Sequence, residues 1–153
     1  MKSRSLVAVA FALATLEFGT HNSQGTSGAT AFDGNWSVTL DAKEYRNPNG
    51  SVALAFIRRF TATVKNGVFH GEIGTRGKPQ WYELSGKIQS DGTALLRANE
   101  ITGDQKYNFT LSRNAPPGEG IGYSYQVTAH FNNRNGTGRS SDRRPKIFSF
   151  VRS

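Results

Sequence analysis

The chain of 153 residues contains no cysteine, one methionine, five prolines and three histidines. Without a thiol there is no cysteine nucleophile, no cysteine-ligated zinc, no iron–sulfur cluster and no disulfide to staple a small core. Acidic residues are also scarce, 11 against 19 lysines and arginines, which leaves a net charge of +8. Long apolar runs are missing except for one, Leu6 to Leu16, which is too short for a membrane-spanning helix. What is plentiful is glycine, at 17 residues, and aromatic side chains, at 11% of the chain. That balance suits short strands and tight turns better than packed helices, and the length suits a single domain with one core.

The apolar run follows Lys2 and Arg4 and stops at Glu17. A positive start, a short uncharged apolar stretch and a small-x-small signal at Ala29-Thr30-Ala31 predict an export signal and leader over residues 1–31. Cleavage falls after Ala31 or nearer Gly19, and a β domain follows over residues 32–153. Its removal leaves 17 basic and 10 acidic side chains, a net of +7. The expected location is periplasmic or secreted, with no transmembrane segment in the mature protein. A basic surface of this size favours acidic envelope polymers, anionic lipid head groups or acidic glycans.

The clearest alternation runs from Gly122 to Phe131. Tyr123, Tyr125, Val127, Ala129 and Phe131 fall on one face, and Ser124, Gln126, Thr128 and His130 on the other, the two-residue period of a half-buried strand. Trp36, Val38 and Leu40 share a face in the same way. Ala53 to Lys65 is long and β-prone, but Arg58 interrupts the series Phe56, Phe60, Ala62, Val64, which predicts a bulge or bend near Arg58 and Arg59. Asn66-Gly67 is a type I′ hairpin signal. Further strands are expected over Val68 to Thr75, Trp81 to Gln89, Thr93 to Ile101, Tyr107 to Leu111 and Ile147 to Val151. Asp41 to Ser51, Asn114 to Gly120 with its Pro116-Pro117 pair, and Asn132 to Pro145 are expected to be loops. The fold class is therefore all-β, a single antiparallel meander of about eight strands. An up-and-down barrel, which abolishes exposed edges, is favoured over an open β-sandwich.

Catalytic patterns are thin. His70 and His130 stand outside any zinc-binding spacing, so no metal and no cofactor is expected. Gly74-Thr75-Arg76-Gly77-Lys78-Pro79 fails as a phosphate loop, because Glu72 and Pro79 stand where glycine and a hydroxyl residue are needed. No Gly-x-Ser-x-Gly elbow is present. Glu72 and Glu83, on neighbouring expected strands with His70 nearby, are the one carboxylate couple a hydrolase would use. Four Asn-x-Ser/Thr sequons, at Asn35, Asn49, Asn108 and Asn135, are explained by turn chemistry.

Several short motifs keep a common order: Phe32-Asp33-Gly34-x-Trp36-Ser37-Val38, Asn66-Gly67, Gly86 with Asp91-Gly92, Tyr123-Ser124-Tyr125, Gly136-Thr137-Gly138 and Phe148-Ser149-Phe150-Val151. From Phe32 to Arg152 this set resembles a family of small exported proteins of rhizobia-like proteobacteria. The resemblance implies export and a β fold and no particular activity. Members of that family carry a cysteine after Arg-Pro near the C-terminus, where this chain has Lys146, so a disulfide does not carry over.

Three functions follow from these residues. The first is a non-catalytic barrel that binds a small apolar ligand or a glycan through Trp81, Tyr82, Tyr123 and Tyr125. The second is an envelope protein that docks on acidic polymer or lipid through a solvent-exposed C-terminal connection carrying Arg134, Arg139, Arg143, Arg144 and Lys146. The third is a hydrolase using the acidic residues on the sheet. No specific nucleic-acid partner is expected.

Overall fold

The computed structural model describes residues 29–110, 113–114 and 118–153. Most of the expected leader, Leu111 and the Pro116-Pro117 pair lie outside the described residues. The chain forms an antiparallel meander that closes into an eight-stranded barrel. In chain order the strands are β1 (Gly34–Ala42), β2 (Tyr45–Arg46), β3 (Val52–Ala53), β4 (Phe56–Lys65), β5 (Val68–Ile73), β6 (Tyr82–Ile88), β7 (Thr93–Ile101), β8 (Gly122–Phe131), β9 (Asn135–Ser140) and β10 (Lys146–Arg152). β2 and β3 pair only with each other, and β10 closes the ring by pairing with β1.

The alternation of side chains sorts the residues. Trp36, Val38, Leu40, Phe60, Val64, Phe69, Leu84, Ile88, Leu96, Val127, Phe131, Phe148 and Phe150 point inward and are buried. Outward positions on β4, β7 and β8 are mostly polar (Arg59, Thr61, Thr63, Arg97, Asn99, Ser124, Gln126, Thr128, His130), with Ile57 and Leu95 as isolated exceptions. Among the described residues, these three strands show no continuous outward apolar band of the kind a lipid-facing barrel carries. Among the described residues no helix is long and apolar enough to cross a membrane.

The two ends differ. At one end the strands are joined by tight connections, and the Asn66-Gly67 turn has both φ angles positive, at 53° and 74°. Both turn amides donate to the Asp33 carboxylate at 2.9 Å, which explains the aspartate before the first strand. A short 3-10 turn, Ala29–Phe32, folds under this end, where Trp36 Nε1 donates to the Phe32 carbonyl at 2.9 Å. Phe32, Trp36, Phe69 and Phe150 all meet the ring of Phe131 there, with centroids 4.7–6.4 Å apart. At the opposite end lie the long connections, residues 43–55, 74–81 and 141–145 and the described residues 102–110, 113–114 and 118–121 between β7 and β8.

Four local expectations are corrected. The β1–β4 register runs unbroken from Gly34↔Val64 to Ala42↔Phe56, so Arg58 makes no bulge; it simply takes its turn pointing inward. Tyr107 and Phe109 are not in a strand, because Asp104 accepts from the Lys106 amide and starts a 3-10 turn over Gln105–Tyr107. The loop expected over residues 41–51 instead contains β2, whose partner β3 is separate from β4.

The fourth correction replaces the lost strand. Asn132 to Pro145 is not one long connection, since Asn135–Ser140 is the barrel's strand β9. Its inward positions are Gly136, Gly138 and Ser140, so it carries no apolar signal. A Cβ at Gly138 would lie 3.1 Å from both Ala129 Cβ and Val127 Cγ1, and one at Gly136 would lie 2.9 Å from the Phe131 ring. The missing side chains make room for the large ones opposite.

Candidate functional site

Inward-facing residues change character along the barrel axis. Below lie the phenylalanines and Trp36; in the middle, Tyr125 donates to the Tyr82 hydroxyl at 3.3 Å. Above them, at the long-loop end, the inward positions become charged: Arg58 on β4, Glu100 on β7 and Lys146 on β10, each continuing the parity of its strand's apolar residues.

Arg58 and Glu100 pair with each other, and Lys146 pairs with Asp142. Arg58 Nη2 meets Glu100 Oε1 at 3.3 Å, and the Glu100 side chain is only 7% exposed. Tyr123 donates its hydroxyl to Glu100 Oε2 at 2.9 Å. Lys146 forms a buried ion pair with Asp142, and its Nζ sits 4.0 Å from the centre of the Tyr125 ring. Desolvation lowers the Lys146 ammonium from its ordinary value in spite of Asp142. The Arg58 guanidinium stacks 5.0 Å over Tyr82, while its Nη1 is shielded from solvent without a hydrogen-bond partner.

Arg144 serves a different end. Its guanidinium donates to the carbonyls of Lys43, Tyr107 and Leu54 at 2.9, 2.6 and 2.5 Å, and so ties together the connections at this end. Asn47 adds a second tie, accepting from the Thr110 amide at 3.0 Å.

Between these groups is a cleft of about 350 Å³. It is lined by Phe56, Ile57, Arg58, Gln80, Glu100, Gly103, Asp104, Tyr107, Asn108, Tyr123, Arg144 and Lys146. Ligand sites are commonly concave spaces of this order, and this one is lined more by polar and charged side chains than by apolar ones. No known family, curated protein or solved structure matches the chain. The cleft's own chemistry therefore carries the functional argument.

The expected aromatic set is brought together only in part. Tyr82, Tyr123 and Tyr125 converge inside the barrel, and Tyr123 lines the cleft. Trp81 has the opposite parity and lies at the outer face, where Nε1 donates to Glu72 at 2.5 Å and Arg76 stacks at 4.8 Å. Among the expected cationic residues, Arg134, Arg139 and Arg143 are exposed as anticipated. Arg144 and Lys146 are not in a solvent-held connection; they are 2% and 1% exposed, because the chain turns inward into β10.

Glu72 and Glu83 do face each other across β5 and β6 on the outer surface. Arg76 binds Glu83 at 2.7 Å and Glu72 at 3.6 Å, and Asn99 donates to Glu83 at 3.0 Å. Desolvation opposes the Glu83 charge, yet the hydrogen bonds from Asn99 and Arg76 hold its carboxyl below the ordinary value. A carboxylate held ionised in this way is poorly suited to donate a proton to a leaving group. Among the described residues no group of three or more histidine, aspartate and glutamate side chains is placed to hold a metal ion.

Sequence reasoning missed Arg58 and Glu100. The signal was parity: Arg58 lies between Phe56 and Phe60, and Glu100 follows Leu96 and Ala98, on the inward face of their strands.

Proposed function

We propose that the chain is an exported, non-catalytic binding protein that takes a small ligand in the mouth of its barrel. The observation that carries this reading is the cleft at the long-loop end, set above a barrel otherwise filled by aliphatic and aromatic side chains. Loops mounted on a rigid scaffold are where binding sites concentrate. The export half of the reading rests on Lys2, Arg4 and the apolar run after them.

The test is a thermal-shift and NMR screen of the domain against small organic acids, glycans and lipids. One class should raise the melting temperature and move the amide resonances of Gly103 and Tyr123 at the cleft. Failure of every class to move them would overturn the reading. Export is checked by intact mass of the periplasmic or secreted protein; recovery mainly as full-length cytoplasmic chain would refute it. A second reading, docking on acidic polymer or lipid, is favoured by the exposure of Arg134, Arg139 and Arg143. It requires salt-sensitive liposome or polysaccharide binding that is lost in the combined Arg134→Ala, Arg139→Ala and Arg143→Ala variant.

A further inference from the structure

We propose that the mouth cleft is a site for a small monocarboxylate with a flat apolar body, and that Arg58 is the residue that grips its carboxylate. The inference rests on the reading of the cleft as a ligand site and adds the ligand's chemical class. Three observations support it.

The first is the state of Arg58. One edge of its guanidinium is committed to Glu100, while Nη1 is shielded from solvent and unpartnered. A buried donor without an acceptor is unfavourable, the more so when charged, so a guanidinium held this way gains from an incoming anion. Arg144 is different, since its donors already serve three carbonyls.

The second is charge balance. Around the cleft, Arg58, Arg144 and Lys146 stand with Glu100 and Asp104, and the neighbouring Lys106 and Asp142 pair with Asp104 and Lys146. The sum is a single positive charge, which one carboxylate neutralises. A phosphate dianion or a dicarboxylate would bring surplus negative charge against the nearly buried Glu100 carboxylate, and like charges at close range repel.

The third is shape. The wall beside Arg58 is aromatic: Phe56 and Tyr107 pack edge to face at 6.0 Å, and Tyr123 lies across from them on the cleft lining. The volume of about 350 Å³ holds roughly a dozen water-sized groups at about 30 Å³ each, enough for a ring and a short acid tail.

The experiment is calorimetry and NMR titration with aromatic monocarboxylates from benzoate to indole-3-acetate, each against its neutral amide, with succinate and inorganic phosphate alongside. Acids in the panel should bind at the cleft about tenfold or more tighter than their amides, the range a hydrogen bond to a charged group supplies. In the Arg58→Met/Glu100→Leu variant that acid preference should disappear while weak amide binding persists. Equal affinity of acid and amide, or tighter binding of phosphate or succinate, would overturn the carboxylate assignment and leave the cleft reading standing. A glycan or lipid displacing every acid would do the same. No perturbation of cleft resonances by any compound would overturn both.

Discussion

Removing one member of the Arg58–Glu100 pair should cost far more than removing both. In Glu100→Leu the guanidinium stays behind, walled by Phe56 and Tyr82, with no carboxylate. At the observed 3.3 Å and an effective dielectric of about 20, the lost attraction is about 5 kcal/mol. The desolvation of both charges offsets much of this in the intact pair but continues to penalise a lone Arg58, so the net loss is about 3–5 kcal/mol. For a domain of this size that is a fall in melting temperature of roughly 10–15 °C. In Arg58→Met/Glu100→Leu no charge is stranded, and Tyr123 reaches the cleft, where water can take its hydroxyl. Stability should return to within about 1–2 kcal/mol of the parent, or exceed it. Urea unfolding of the parent and both variants, compared at constant m, measures the difference. A single variant within about 1 kcal/mol of the parent, or a double variant no better than the single one, would refute the claim that this pair is energetically buried.

Three further outcomes follow from the packing and the ionisable groups. Trp36→Ala removes a side chain with no exposed surface from the aromatic cluster, and the loss of about 3–5 kcal/mol against a total of roughly 5–15 should leave the domain near unfolding by circular dichroism. Gly138→Val forces a branched side chain against Val127 and Ala129, which should lower the urea midpoint by about 1–3 kcal/mol in stability terms. Burial first of all raises the Tyr82, Tyr123 and Tyr125 hydroxyls above their ordinary value, with Glu100 adding to the effect at Tyr123. Their folded values exceed the unfolded value of about 10, so the stability they represent is complete below that pH and is lost as pH rises from it through the folded values. Phenolate absorbance from these three should therefore appear together with alkaline loss of circular dichroism, and ionisation of all three well before unfolding would contradict their burial.

The meander was legible because burial on one face writes a two-residue period into the sequence. Gly122–Phe131 emerges with its full length and inward set, and Asn66-Gly67 turns where it should. β9 was not legible, since a strand whose inward residues are Gly136, Gly138 and Ser140 leaves no hydrophobic trace. Tyr107 and Phe109 misled for the opposite reason. Their rings pack on Phe56, Tyr45 and Tyr123 from a loop, so two aromatics in phase did not require a strand. The same limit hid the candidate site. Arg58 and Lys146 were assigned by their charge to a bend and a solvated loop, when their parity already placed them on inward faces. Charge predicts exposure well for isolated residues, but not for residues that neutralise one another across a barrel. For Arg58 that information lies in its partner Glu100 on a distant strand, which no local window contains, whereas Lys146 had its partner Asp142 only four residues away.

The seam between β1 and β10 sets when the barrel comes into being. The ring is joined through residues such as Leu40 and Phe148, which are more than a hundred positions apart, and β10 is the last strand in the chain. Until β10 is available, β1 and β9 each present an unpaired edge and the apolar interior lies open along one side. A chain cut before Lys146 is thus not a slightly shorter barrel but an open, sticky sheet, prone to pair with its neighbours. Closure that depends on such distant partners is also slow relative to local hairpin formation. The interval between synthesis of β9 and docking of β10 is when this protein is most exposed to aggregation, proteolysis and chaperone capture.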